Sequence, residues 1–474
     1  TQGYSSAASD VYKRQHIISV LWRCIMLVRF SVENYRSFKD RQVFSMVAGK
    51  HTRHKDQVVS INGKRLLKAG VLFGANAAGK SNLIKAINFG KNIALNEISA
   101  GRIMNRQFRI EKESLGKPGI FQYDFFSNGH FYSYGFAISY LKPKFISEWL
   151  YIIDGDKEFK VFERDDEQKI TTDMKFSVAE NRQRFEIYAE DVSDEKSFLS
   201  EIVSHKLGEL AEFRPFFDTE MWFDSLIIIF PQTKINDFRQ FLMNDSLDSI
   251  GKLLNYFDTG IDSVTGKENS MDEALGFLPE EVRKNVINDV QEEFVKNEKS
   301  KEIFSVEITI GGRRFSFSKN ESGEITAAQL MMNHGNPNDL FELTDESDGT
   351  RRLFDLIPLY KKGKQNCVIL IDELDRSFHS RLTIEFIQKF FEKTDGDATQ
   401  LIVTLHDSNV MNLNILRQDE IWFVERRSDH SSEIYSLNKF KERFDHSVAK
   451  DYLLGRYGAI PNFGIDSWDE EDGE

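Results

Sequence analysis

The sequence is short of three things. In 474 residues it has two cysteines, Cys24 and Cys367. Two thiols cannot build a disulfide framework, so a bridge-stabilised secreted fold is excluded and a reducing cytosol is the expected compartment. Positive charge is also in deficit: 62 Lys and Arg face 75 Asp and Glu, leaving a net −13. A broadly basic nucleic-acid face is thereby excluded, although a local basic groove is not. No apolar run approaches the roughly 20 residues that a membrane-spanning helix needs. Internal repeats, low-complexity linkers and sustained heptads are missing too, so solenoids and long coiled coils are not expected.

What is present is globular. Hydrophobic residues make up 40% and charged residues 29%, in a chain long enough for two or three packed units. Forty phenylalanines imply a large aromatic core. The opening TQGYSSAASDVYKRQ lacks an initiator Met and resembles vector read-through, and the HIISVLWRCI that follows is interrupted by Arg23. Residues 1–25 are therefore expected to be a non-native leader, with the protein proper read from Met26.

From Met26 the pattern of apolar and polar residues predicts a strand, a turn at Asn34, and a second strand over Arg41 to Val47. Residues 120–153 read as aromatic strands turning at Asn128-Gly129, and strand-like sequence continues to about Ile187. Near Asp191 the character changes to helical and charged as far as about Ser300, with EKSFLSEIVSHKLGELAEF and PEEVRKNVINDVQEEFVKN as the clearest helices. Strands return in FSVEITIGGRRFSFS, turning at Gly311-Gly312, and again in IWFVERR and EIYSLNKF. The expected division is 26–190 and 301–466 as two halves of one α/β head, 191–300 as a compact helical insertion, and 467–474 as a solvated acidic tail.

Four short stretches carry chemistry. Gly74-Ala-Asn76-Ala77-Ala78-Gly79-Lys80-Ser81 fits G-x-x-x-x-G-K-[ST], between an apolar strand and the helical pattern that opens at Ser81-Asn82. Chance would produce this match in a chain of such length about once in a hundred. Glycines let backbone amides wrap phosphate oxygens; Lys80 would reach the β/γ oxygens and Ser81 would ligate Mg²⁺. CVILIDELD (367–375) reads as a doubly buried strand ending at Asp372, a carboxylate suited to hold Mg²⁺, and Glu373, a candidate general base. Asp-Glu is also ordinary helix-start sequence, and Asp375 and His379 read as structural. LIVTLHDS (401–408) is another buried strand, with His406 at its end as a candidate γ-phosphate sensor. In FELTDESDGTRRLF (341–354), Ser347-Asp-Gly349-Thr caps a helix; that is a surface turn or an anion site.

Together with VENYRSF, ILIDELDRSFH and the closing YLLGRYGAIP, these stretches resemble the soluble ABC-type ATPases related to SMC and RecF proteins. More narrowly, the chain resembles the AAA ATPases of bacterial phage-defence and abortive-infection operons, such as the RloA, AbiL and PARIS ATPases, over about Met26 to Phe463. The resemblance implies an α/β P-loop NTPase with an ABC-ATPase-like head (mixed sheet plus antiparallel β subdomain), ATP and Mg²⁺ as cofactors, and pairing of two heads. In such a pair Ser347 and Gly349 cap the γ-phosphate held by the other subunit. It further implies that Arg36, in the turn from Asn34 to Ser37, approaches the nucleotide and that Gln122 is a candidate for the Mg²⁺-linked glutamine. The implied partners are a second copy and a separate effector protein, with nucleic acid a further candidate and no membrane. There are departures: the signature is not Leu-Ser-Gly-Gly-Gln, the long coiled coil is absent, and no nuclease-like acidic block follows. A RecF-like repair ATPase clamping DNA through Arg313-Arg314, Lys361-Lys362-Lys364 and Arg426-Arg427 is the competing reading.

Overall fold

A computed structural model describes residues 24–205, 207–233, 246–297, 304–320, 322–360, 366–440 and 447–461. Residues 1–23 of the expected leader, the lysines at 361, 362 and 364, and the acidic tail lie outside the described residues. By packing, the chain forms two units. The first comprises the described residues of Thr1–Pro231, Lys364–Asp375 and Thr383–Glu474; the second comprises those of Gln232–Gly363 and Arg376–Leu382.

The first unit opens with β1 (Ile25–Glu33), followed by β2 (Gln42–Ser45), β3 (Val58–Ile61), β4 (Lys64–Leu67) and β5 (Ala69–Phe73). Strand β1 is apolar on both faces at its start because both are covered. Ile25 and Leu27 enter the main core, whereas Cys24, Met26 and Val28 pack in a smaller one with Ile61 and Phe126. After a shift in register between Leu27 and Arg29, Phe30 and Val32 enter the main core. Next come β6 (Gly119–Ser127), β7 (His130–Ser139), β8 (Lys144–Asp154), β9 (Lys157–Arg164), β10 (Ile170–Thr171) and β11 (Leu226–Ile229). Seven strands make one antiparallel sheet in the order β10-β9-β8-β7-β6-β1-β2. Asn128-Gly129 closes the β6–β7 hairpin as expected.

The second unit holds β12 (Ser263–Ser270), β13 (Ser305–Ile310), β14 (Arg313–Lys319), β15 (Ile325–Asn333) and β16 (Phe341–Glu342), antiparallel wherever they pair. The helix Glu280–Lys296 contributes Val290 and Phe294 to its core, with Phe315 and Phe317 from β14. The chain then returns to the first unit with β17 (Val368–Ile371), β18 (Gln400–Thr404), β19 (Ile421–Arg426) and β20 (Ser432–Ser436). These build a six-stranded sheet, β11-β17-β18-β5-β19-β20, parallel except at its β19–β20 end. Helix α1 (Lys80–Leu95) buries Leu83, Ile84 and Ile87 in the main core beside Phe121 and Tyr123 of the antiparallel sheet and Leu72 and Leu370 of the parallel one. Trp222 stacks on Phe125 at 4.4 Å between ring centroids, so much of the phenylalanine is spent on this core.

Three sequence expectations need correction. Strand does not continue to Ile187: Ala179–Asp191 is a helix, its Asn181 and Phe185 buried one turn apart. The stretch 191–300 is not wholly helical. Leu226–Ile229 is a short apolar run that pairs with β17 in the parallel sheet, and the polar Ser263–Ser270 is a strand held by β15. Packing therefore divides the chain at 231 rather than at the composition break near 191, and returns it to the first unit at 364 rather than 301, so that the strands from Ser305 to Glu342 and the helix Asp348–Leu356 fall in the second unit. Finally, EKSFLSEIVSHKLGELAEF is not one helix: its α-helix covers Phe198–Ser204 and ends where the backbone turns extended at His205, with a single 3-10 turn at Ala211–Phe213.

Candidate active site

The loop between β5 and α1 is shaped by positive backbone angles. Gly74 has φ 153° and Gly79, the N-cap of α1, has φ 113°; Ala77 between them sits at φ 60°. Any side chain at Gly79 would also collide, since an added Cβ would lie 2.3 Å from Ser432 Oγ and 2.7 Å from Ser37 Oγ. At Gly74 it would lie 2.2 Å from the Val424 carbonyl oxygen. The amides of Asn76, Ala77, Gly79, Lys80 and Ser81 donate to no acceptor among the described residues. A loop of free amides at the head of a sixteen-residue helix is a cradle for phosphate oxygens.

Lys80 lies inside the loop. Its Nζ donates to the Gly74 carbonyl at 2.7 Å and to that of Ala75 at 3.2 Å. Burial pulls the ammonium below the usual lysine range, while Asp375, Asp372 and Glu373 oppose the shift. Two hydroxyls fasten the loop from outside: Ser432 Oγ donates to the Ala78 carbonyl, and Asn82 Nδ2 donates to Ser37 Oγ at 2.8 Å. The Ser432 amide in turn donates to the Ser37 carbonyl at 2.7 Å, joining the two clasps.

The acids stand at the C-terminal end of the parallel sheet, where ligands bind in such folds. Asp372 follows β17, is buried, and accepts a 2.7 Å bond at Oδ1 from Thr404 Oγ1. The same Thr404 oxygen accepts from the Glu373 amide at 2.8 Å. One hydroxyl on β18 thus fixes both members of the Asp-Glu pair. Glu373 has φ 51°, a left-handed angle costing a non-glycine residue roughly 1–3 kcal/mol. Asp-Glu is accordingly no helix start here, the next helix beginning at Ser380. The half-exposed His406 reaches Glu373, with Nε2 4.0 Å from Oε1. Its backbone, with that of Asp407, is tied to Asp375 Oδ2 at 2.7 and 2.8 Å.

Lys80, Asp372, Glu373 and His406 are thus gathered at one end of the parallel sheet. Two other candidates are engaged elsewhere. The Arg36 guanidinium lies against its neighbour, donating to Tyr35 Oη at 3.2 Å, so Ser37 rather than Arg36 is the residue of that turn that meets the loop. Gln122 sits mid-strand in the antiparallel sheet, accepting from Arg41 and donating to Asp124 and Ser133; none of its hydrogen bonds involves Ser81 or Asp372. In the second unit, Ser347 caps α2 (Asp348–Leu356): its Oγ accepts from the Thr350 amide at 3.1 Å. Gly349 is glycine for close approach, because a Cβ there would lie 2.7 Å from the Ser377 carbonyl oxygen. Thr404 and Ser432 escaped the sequence reading, for no local spacing marks them, while Asp375 was read as structural and Ser37 only as the end of the turn from Asn34.

The residues present fit a magnesium nucleotide: an amide cradle, a buried ammonium within it, and a buried carboxylate at the neighbouring strand end. Residues 71–412, well over half the chain, match the family described as "AAA domain, putative AbiEii toxin, Type IV TA system". No curated protein matches the sequence. Among solved structures, the chain is similar to an SMC head bound to the C-terminal winged-helix domain of ScpA, at 14% identity and a TM-score of 0.38, over 86% of this chain and 97% of that one. It is also similar to the SMC head domain from Thermotoga maritima, at 12% identity and a TM-score of 0.36, over 86% and 98% of the two chains.

Proposed function

Because the chain belongs to this AAA family and is an ATPase domain of that type, we propose that it hydrolyses ATP in an ABC-type site completed by a second copy. The observation that carries the reading is Lys80, buried on the Gly74 and Ala75 carbonyls inside a loop of free amides, with Asp372, Glu373 and Asp375 acting on its charge. Mg²⁺ would be held by Ser81 and Asp372 and would neutralise charge on the β- and γ-phosphates. The chain does the rest. The amides from Asn76 to Ser81 and the helix end bind phosphate oxygens, and Lys80 exchanges its carbonyl partners for them. Glu373 orients the attacking water and accepts its proton at Oε1 or Oε2. His406 donates to the γ-phosphate side of the site and so reports its occupancy. Ser347 and Gly349, at the head of α2, meet the γ-phosphate bound by the other copy.

The biological role proposed is control of a separate effector in anti-phage defence, with this ATPase as sensor and scaffold. Its support is the family's description, which names an AbiEii toxin and a toxin–antitoxin system, and the resemblance of the motifs. A fold alone would not carry it. The DNA-repair alternative finds less support. Arg313 is paired with Glu342 at 2.8 Å, Arg314 with Asp355 at 2.7 Å, and Arg427 with Asp40 and Glu433.

Steady-state turnover of Glu373→Gln against wild type tests the proposal. Loss of the general base lowers kcat by about 10²–10⁴-fold with ATP still bound. Unchanged turnover would refute the assignment.

A further inference from the structure

Asp375 lies two residues beyond Glu373, yet its bonds go to the other side of the site. With a single carboxylate oxygen, Oδ2, it accepts from the amides of both His406 and Asp407, at 2.7 and 2.8 Å. Its second oxygen, Oδ1, is buried without a hydrogen-bond partner among the described residues. The His406 ring is itself half-exposed, and among the described residues the charged side chain it approaches is Glu373, at 4.0 Å. Where that ring points therefore depends on the backbone at 406–407, and Asp375 is the side chain that holds this backbone. Thr404 ties the opposite corner, through Asp372 Oδ1 and the Glu373 amide. The turn 372–375 and the strand end 404–407 are thus cross-linked at both ends.

We propose that Asp375 is a positioning residue of the hydrolytic centre: by bonding two successive amides after β18 it fixes the His406 imidazole beside the Glu373 carboxylate. The inference rests on the roles given above to Glu373 and His406. It predicts more than a loss of stability. If Asp375 acts through His406, removing it matters only while His406 is present, because residues that act as one unit are not additive.

The experiment is a double-mutant cycle on the full chain, reading kcat and KM for ATP in Asp375→Ala, His406→Ala and the double variant, with Asp375→Asn as the conservative control. Asp375→Ala is expected to lower kcat about 10- to 100-fold, the scale of a small misplacement of a catalytic group, with KM moved less than about threefold. In the His406→Ala background the same change is expected to cost no more than about twofold. Asp375→Asn keeps an oxygen able to accept from both amides and is expected to retain most of the turnover. If Asp375→Ala does not fold, Asp375→Ser, too short to span both amides, replaces it in the cycle. Unaltered kcat in Asp375→Ala, or losses that multiply in full with those of His406→Ala, would overturn the inference alone. Full turnover in His406→Ala would overturn the assignment of His406, and the inference with it.

Discussion

One hydroxyl, that of Thr404, donates to the carboxylate expected to hold the metal and accepts from the amide of the proposed base. Thr404→Val keeps the volume and breaks both bonds, leaving a buried carboxylate oxygen short of a donor, at a cost of about 1–3 kcal/mol. Turnover is expected to fall about 10- to 100-fold, with Thr404→Ser restoring most of it; steady-state kinetics of the two variants decide this. Gly79→Ala should be worse for binding than for chemistry. Its Cβ has no room between Ser432 and Ser37, and its φ of 113° is foreign to alanine. Fluorescent-nucleotide titration should show an affinity loss of about tenfold or more, in line with strain of order 1–3 kcal/mol. At this scale the sequence was legible where spacing itself encodes the chemistry, as in Gly74 to Ser81 and Asp372-Glu373. Thr404 and Asp375 were not legible, because their partners lie about thirty residues away and meet them only through the parallel pairing of Val368–Ile371 with Gln400–Val403.

Among the elements, strands with β-branched or aromatic runs could be read directly: β5, β17 and β18 fall where the apolar runs predict. The polar Ser263–Ser270 could not, since its strand state comes from pairing with Ile325–Asn333 rather than from its own propensity. The helix start at Ser347 was legible from its cap, but the brace behind it was not. His334 bonds Glu346 at 2.7 Å through Nε2 and the Gly260 carbonyl at 2.9 Å through Nδ1. The Glu346 bond is the largest cause holding the imidazole above its ordinary 6.5. A raised folded pKa stabilises most below the unfolded value, and the contribution is lost as pH rises through the folded one. His334→Ala should therefore lower hydrogen-exchange protection around residues 333–346 at about pH 5.5 and leave it nearly unchanged at about pH 9. An effect that grows with pH would contradict the pairing.

For the whole molecule, composition bounded the class and misplaced two boundaries, the start of the second unit near 191 instead of 232 and its end near 300 instead of 363. The acidic balance and the scarcity of cysteine were consistent with a globular ATPase, whereas the change in character near Asp191 marks no division by packing. The apolar Leu226–Ile229 could have signalled this, since four such residues in a charged stretch suit a parallel sheet better than a helical insertion. The central claim, that two copies complete one ATP site, belongs to this scale. The most direct measurement is the solution mass of Glu373→Gln with and without ATP and Mg²⁺, alone and combined with Ser347→Arg. The account predicts a larger, ATP-dependent assembly for Glu373→Gln that Ser347→Arg abolishes while leaving nucleotide binding by the single chain intact. A mass indifferent to ATP, or an ATP-dependent assembly that survives Ser347→Arg, would contradict it.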